Sequence, residues 1–100
     1  MIHVIATIEL VEGKREAFLG EFRRIIKIVR DEDGCVEYGP AIDLETEVSA
    51  LPRANVVTVI EKWASVPALE AHLKAPHMAR YREMVRDMVT GIQIQVLKPA

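Results

Sequence analysis

The chain contains a single cysteine among its 100 residues, so it cannot form an internal disulfide bond. It has no paired cysteines and histidines at the spacing of a zinc site, and we expect no metal. No run of about 18 apolar residues could cross a membrane, and the N-terminus lacks the basic-then-apolar pattern of a signal peptide. These absences predict a soluble, cytoplasmic protein with no membrane partner.

A concentration of one charge is missing as well. The 13 Lys and Arg residues and the 15 Asp and Glu residues give a net charge of -2, and the basic residues are dispersed along the chain. A nucleic-acid partner requires a concentrated cationic surface, so none is expected. The chain also has no glycine-rich phosphate loop, no serine nucleophile elbow and no pair of catalytic carboxylates.

Half of the residues are apolar, and a chain of this length supports one hydrophobic core, so residues 1–100 are expected to form a single domain. Alternating apolar residues predict strands at 2–10, 35–44, 55–63 and 92–97. Helical spacing of apolar residues predicts a first helix at 15–32. A short second helix is expected after Ser65, which can cap it, and a third from Pro76 to Gly91. With right-handed crossovers, this order predicts an α+β fold: a ferredoxin-like split βαβ with a four-stranded antiparallel sheet, order 4-1-3-2, and helices on one face. Pro40 cannot donate to a strand ladder, which places strand 2 at an edge.

Strands 1 and 3 carry apolar residues on both faces. Ile5 lies opposite Val4 and Ala6, and Ile60 lies opposite Val59. A sheet that is apolar on both faces must be covered twice, so we expect a second copy to pack sheet on sheet in a homodimer. The alternative is ordinary scatter of exposed valine and isoleucine, which is common on protein surfaces.

Three segments carry a resemblance to a known family. They are DGCVEY at 33–38, EKWAS at 61–65 and ALEAHLKAPH at 68–77. Together they resemble the antibiotic biosynthesis monooxygenase superfamily, and most closely its small bacterial quinol monooxygenases. The resemblance spans nearly the whole chain, and it is more specific for the superfamily than for a substrate.

The resemblance implies a homodimeric α/β barrel with a pocket between the helices and the sheet. In that pocket a small aromatic substrate, a quinol such as menadiol or a polyphenol, would be oxidised by O2 with no flavin, haem or metal cofactor. Haem-degrading relatives use an asparagine on strand 1. This chain has Ile5, Ala6 and Thr7 there, and its only asparagine is Asn55, which argues against haem oxygenation.

Two histidines are candidate catalytic bases. On a helical wheel, His72 lies about 90° from the centre of the stripe formed by Val66, Leu69 and Leu73, and His77 lies about 60° from the centre of its own stripe. An imidazole with an ordinary pKa near 6.5 can accept a phenolic proton at neutral pH, and His72 is the first choice. The alternative for either residue is a histidine that caps a helix or bonds a carbonyl group.

Five further residues are candidate substrate-binding residues: Trp63, Tyr38, Phe22, Met78 and Glu61. The indole of Trp63 offers a flat surface and one N–H donor, but each apolar member could equally be a core residue, and Tyr38 an interface residue. Glu61 could pair with a histidine or with a basic side chain. Cys35 has no neighbour in sequence that would lower its pKa, so its thiol is expected to be inert.

These residues predict a cofactor-independent monooxygenase in which a histidine deprotonates a quinol that then reacts with O2. Two alternatives remain open. The first is an isomerase or degrading enzyme for a small signalling molecule on the same fold, and the second is a non-catalytic ligand-binding barrel. A phosphorylated sugar would need several converging basic side chains, such as Arg80 or Arg82 turned inward.

Overall fold

The structure is a computed structural model that describes residues 1–100. Its strands are β1 (Ile2–Leu10), β2 (Cys35–Ala41), β3 (Val56–Trp63) and β4 (Val89–Leu97), and its helices are α1 (Arg15–Arg30), α2 (Val66–Lys74) and α3 (Pro76–Val85). The strands form one antiparallel sheet in the order β2-β3-β1-β4. The predicted ferredoxin-like α+β fold and its strand order are confirmed, with Pro40 on an edge strand.

Several element boundaries differ from the prediction. Strand β2 ends at Ala41 rather than at residue 44, and helix α3 ends at Val85, where a 3-10 turn at Arg86–Met88 leads into β4. Gly91 therefore lies inside β4 instead of ending a helix. A Cβ atom at Gly91 would meet only the side chain of Glu9 on β1, which is exposed and free to move aside.

The core lies between the helices and one face of the sheet. Its strand contribution comes from alternating residues, because successive side chains of a strand point to opposite faces. On β1 these are Val4, Ala6 and Ile8, and on β3 they are Val57, Val59, Glu61 and Trp63. Helix α1 adds five buried residues, Phe18, Leu19, Phe22, Ile25 and Val29. No helix combines the length and the apolar composition that crossing a membrane requires.

The expectation of a second, fully apolar sheet face is only partly met. Ile5 is paired with Ile60 and Gln95 on the face away from the helices, and the next cross-strand set on that face is Thr7 with its polar partners on β3 and β4. That face is therefore mixed. The larger exposed apolar surface lies elsewhere: Ile92, Ile94 and Val96 of β4 stand on the helix side of the sheet but are exposed, because the helices do not reach this edge strand.

A tight turn between α1 and β2 fixes how the helices meet. Gly34 has φ of +82°, and a Cβ atom there would lie 2.6 Å from the Cβ of Ala68 on α2. Its carbonyl group accepts a hydrogen bond from the backbone N–H of Ala64 at 2.7 Å. Glycine is therefore required both by the left-handed backbone and by the close approach of α2.

Replacing Gly34 by alanine should destabilise the protein by about 2–4 kcal/mol, from the left-handed backbone and from overpacking against α2. The measurement is the free energy of unfolding in urea. The matched control is Gly20→Ala on α1, where a Cβ atom would meet nothing within 4 Å, and which should stabilise by about 0.5–1 kcal/mol through helix propensity. Equal effects of the two substitutions would contradict this account.

Candidate active site

All five aromatic residues of the chain belong to one buried group. Phe22 stacks on Tyr38 with ring centroids 5.3 Å apart, and Tyr81 meets Phe18 and Phe22 edge-on at 6.2 and 5.9 Å. The group continues through a histidine: the ring of His72 lies 5.4 Å from that of Tyr38, and 4.6 Å from that of Trp63. We call these five aromatic residues, together with His72, the aromatic cluster. It joins α1, α3 and both strands β2 and β3 to helix α2.

The buried face of α2 differs from the one that the helical wheel predicts. Leu69 and His72 are buried, whereas Val66 and Leu73 are 48% and 40% exposed. His72 therefore lies at the centre of the buried face rather than at its border. The helix is only nine residues long and is capped at its start by Ser65, whose Oγ accepts a hydrogen bond from Ala68 N. Its orientation is set by packing against the Gly34 turn, which a wheel of its own apolar residues does not include.

Glu32, which the sequence analysis did not select, links the two candidate histidines. Its Oε2 atom lies 2.9 Å from Nδ1 of His72 and 2.9 Å from Nε2 of His77. Because an ionised carboxylate only accepts hydrogen bonds, both nitrogen atoms carry protons and donate to it. The turn at Gly34 brings Glu32 to the two histidines across 40 and 45 residues of sequence. Its only sequence signal is its place in an acidic stretch that directly precedes the glycine turn.

This contact leaves the two nitrogen atoms of His72 in different states. Nδ1 is the hydrogen-bond donor to Glu32, so the neutral ring keeps a lone pair on Nε2, which forms no hydrogen bond within the protein. Burial lowers the pKa of His72 below its ordinary value of 6.5, against the opposing effect of the hydrogen bond to Glu32. Burial is the larger effect and favours a neutral imidazole next to the aromatic rings, and the hydrogen bond to Glu32 determines which nitrogen carries its proton.

The sequence predicts that Glu61 could pair with a histidine or with a basic side chain, but it pairs with neither. Its Oε1 accepts a hydrogen bond of 2.9 Å from Nε1 of Trp63, two residues along the same strand face. Burial raises the pKa of the Glu61 carboxyl group above its ordinary value, and the indole hydrogen bond partly offsets this. Burial likewise raises the pKa of Tyr38 and of Tyr81, with Glu61 contributing to both. The two phenols are therefore neutral hydroxyl groups.

The interior around these residues is closed. Trp63, Phe22, Met78 and His72 are all buried, and none of them lines any of the main surface clefts. The pocket expected between the helices and the sheet is thus filled by the side chains that were expected to line it. Of the seven residues selected from the sequence, only His77 lines one of these main clefts.

Two clefts reach the aromatic cluster from outside, and Tyr81 lines both. One, of about 260 Å³, has Tyr81 and His77 in its wall. The other, of about 280 Å³, lies between α3 and the uncovered side of β4, and six of its eight lining residues are hydrophobic, Phe18 and Tyr81 among them. Tyr81 and Phe18 are therefore the members of the cluster that border these clefts.

Basic side chains do not enter the interior. Neither lysine nor arginine is among the buried residues. Arg82 donates a hydrogen bond to the carbonyl oxygen of Leu73 at the surface, and Arg80 is exposed.

Burial raises the pKa of the Cys35 thiol, so the unreactive thiol form is favoured there, as expected.

The antiparallel sheet with helices on one face defines a ferredoxin-like α+β protein, here with a carboxylate that bridges two histidines beside an aromatic interior. The sequence model of the family described as antibiotic biosynthesis monooxygenase matches residues 1–84. The chain belongs to this family, and the resemblance seen in its motifs is confirmed.

Relatives and solved structures agree with that assignment. The chain is 39% identical to the "probable quinol monooxygenase YgiN" of Escherichia coli strain K12, over 99% of this chain and 98% of that protein. The crystal structure of PA3566 from Pseudomonas aeruginosa is similar with a TM-score of 0.83 at 26% identity, over 99% of this chain and 93% of that one. Rv0793 from Mycobacterium tuberculosis is similar with a TM-score of 0.82 at 26% identity, over 99% and 94%.

Glu61→Gln should increase stability relative to the wild type, and by more as the pH rises. The folded-state pKa of Glu61 is raised above its ordinary 4.5, so the wild type loses stability as the pH rises from 4.5 through the folded-state pKa. Glutamine keeps an oxygen for the indole N–H and does not ionise. Each unit of pKa difference corresponds to about 1.4 kcal/mol. Urea unfolding of both proteins at a series of pH values measures this, and a difference that stays constant across the series would refute it.

Proposed function

We propose that this protein is a cofactor-independent monooxygenase that oxidises a quinol or a similar electron-rich phenol with O2. Membership of the monooxygenase family supports the reaction class, and the name of the Escherichia coli relative supports a quinol as substrate. The observation that carries the proposal is the bond between Glu32 and Nδ1 of His72, which leaves Nε2 of a buried ring free to accept a proton.

His72 is the proposed base, and Glu32 its positioning residue. By accepting a hydrogen bond from the Nδ1–H group, Glu32 selects the tautomer with a lone pair on Nε2 and stabilises the imidazolium that forms after proton transfer. His77 shares the same carboxylate oxygen and is partly exposed. Its N–H group competes with that of His72 for this oxygen, so His77 helps to hold Glu32 in place.

The aromatic cluster is the proposed substrate site: Trp63, Tyr38 and Phe22 are its proposed binding rings, and Met78 and Glu61 are further proposed substrate-binding residues. Because the interior is closed, the substrate must displace side chains to reach His72. The apolar cleft beside β4 is the proposed route, since Phe18 and Tyr81 of the cluster line it and Tyr81 contacts Phe22. A planar ring that replaces the Tyr81 contacts would stack on the remaining aromatic rings, in surroundings that exclude water and strengthen electrostatic interactions.

The reaction requires no electron source other than the substrate. After His72 removes a phenolic proton, the quinolate donates one electron to O2 and forms a semiquinone and superoxide. Recombination of this pair at a ring carbon forms a C–O bond, and loss of water then gives a hydroxylated quinone. One quinol and one O2 thus give one hydroxyquinone and one H2O. If the pair instead transfers a second electron and a proton, the products are the quinone and H2O2.

A site for a phosphorylated signalling molecule is less well supported. Such a ligand requires cationic side chains that converge on it, and no lysine or arginine is buried beside the aromatic cluster. A non-catalytic binding barrel would use the same aromatic interior but would have no need of a positioned proton acceptor. The positioned imidazole favours the enzyme over both alternatives.

We further propose that the protein is a homodimer. Ile92, Ile94 and Val96 form an exposed apolar strip on the helix side of β4, and the cleft proposed as the substrate route opens beside it at Ile92. A second copy that covers this strip would remove apolar surface from water and form one wall of that route. Sedimentation of the protein as a monomer would refute this part of the proposal.

The decisive experiment is oxygen uptake by metal-free protein with menadiol and with polyphenols, measured above autoxidation. His72→Gln should lower the rate by at least about a hundredfold, since a positioned general base contributes about that much. His3→Gln is the matched control, because His3 lies on the face of β1 away from the helices, and it should retain the wild-type rate. Hydrogen peroxide and ¹⁸O in the product distinguish the two outcomes of the radical pair. No uptake above autoxidation would refute the proposed function.

A further inference from the structure

We propose that Glu32, His72 and His77 form a binding site for a divalent transition-metal ion such as Zn²⁺ or Co²⁺. One oxygen and two nitrogen atoms are available, and Nδ1 of His72, Nε2 of His77 and a carboxylate oxygen of Glu32 all lie within 4.8 Å of one another. Two imidazoles and a carboxylate form a ligand set that these ions favour. The metal would lie between the three ligand atoms, in place of the two N–H hydrogens that now point at Glu32.

The distances fit this ligand set. With metal–ligand bonds of about 2.0–2.2 Å, two ligand atoms of a tetrahedral ion lie about 3.4 Å apart. Both nitrogen–oxygen distances are 2.9 Å, and the two nitrogen atoms lie within 4.8 Å of each other, so rotation of the side chains can bring the three atoms to the spacing of an ion. A carboxylate that accepts hydrogen bonds from two imidazoles requires the same convergence of three ligand atoms as a metal ion does.

The site is open on one side. His72 is almost fully buried, with 2% of its side chain exposed, whereas the side chains of Glu32 and His77 are 15% and 16% exposed. His77 also lines the cleft of about 260 Å³ beside α3. An ion can therefore enter from the side of His77, and water can complete its coordination. The positive charge of Arg82 acts on His72 and opposes a cation, so binding should be weaker than at a closed site with cysteine ligands.

Metal binding would change the state of His72. A neutral imidazole has one proton, and an ion on Nδ1 moves that proton to Nε2. The nitrogen that is proposed to accept the phenolic proton would then be a donor. Zinc, which has no redox chemistry of its own, should therefore inhibit quinol oxidation by occupying the base. This consequence rests on the proposed function, whereas the binding does not.

Binding is tested with metal-free protein in two ways: Co²⁺ titration followed by visible absorption, and Zn²⁺ titration followed by calorimetry and by the rise in Tm. The wild type should give the intense absorption bands of Co²⁺ in a low-coordinate protein site, and a Tm that increases with zinc concentration. Glu32→Gln keeps the shape of the side chain but removes its charge, and His77→Gln removes one nitrogen ligand. Each should weaken zinc affinity by at least about tenfold.

Two further variants serve as controls. His3→Gln removes the remaining histidine of the chain and Cys35→Ser removes the only thiol, and both should bind zinc as the wild type does. The proposal is overturned if Glu32→Gln and His77→Gln bind as the wild type does, if either control loses binding, or if Co²⁺ shows only its aqueous spectrum. Circular dichroism of each variant verifies that it is folded.

Zinc added to the oxygen-uptake assay separates this proposal from the proposed function. If metal-free protein oxidises the quinol, saturation with zinc should abolish the excess rate, and an unchanged rate at saturation would overturn the link to His72. If metal-free protein does not oxidise any quinol, the proposed function fails, and the calorimetry and the cobalt spectrum still decide whether the metal site exists.

Discussion

The hydrogen bond between Glu32 and His72 is the interaction on which the site depends. A polar ring that is almost fully removed from water is costly unless its N–H group has a partner, and Glu32 supplies that partner. The same oxygen holds His77, so one carboxylate connects the turn after α1 to the end of α2 and to the start of α3. The chemistry of the site and the mutual placement of the three helices thus share one cause.

Close packing is the second constraint on the site. The five aromatic rings and His72 fill the space between the helices and the sheet, and no main cleft reaches Trp63 or His72. A filled interior stabilises the fold, because apolar surface is removed from water. It also means that any ligand must exchange places with side chains. Tyr81 is the side chain that a ligand would displace most easily, because it is half-buried and lines both clefts beside the other rings.

The sheet could be predicted well because its signals are local. Alternation along β1 and β3, an edge position for Pro40 and the crossover rule together determine the strand order that is observed. Predictions failed where a distant contact overrides the local pattern. The sequence predicts the end of a helix at Gly91, whereas Gly91 lies in β4, paired with Glu9 of the neighbouring strand.

The site could be predicted only in part. Trp63 and His72 were selected, and they do meet, with ring centroids 4.6 Å apart. The partners of the polar groups were not foreseen: Glu61 bonds Trp63, and the histidines bond Glu32. Hydrogen-bond partners of this kind are chosen by side-chain placement within an ångström or two, and no periodicity of the sequence encodes that.

By itself, the sequence determined the α+β class, the strand order and the family, because periodicity, glycine and proline positions and short motifs act over a few residues. Only the tertiary structure decided which face of α2 is buried, which carboxylate meets the histidines and whether the interior is open. These features arise where segments some 40 residues apart are brought into contact, and the left-handed turn at Gly34 makes that contact possible. The energy of such a contact depends on geometry that no single segment contains.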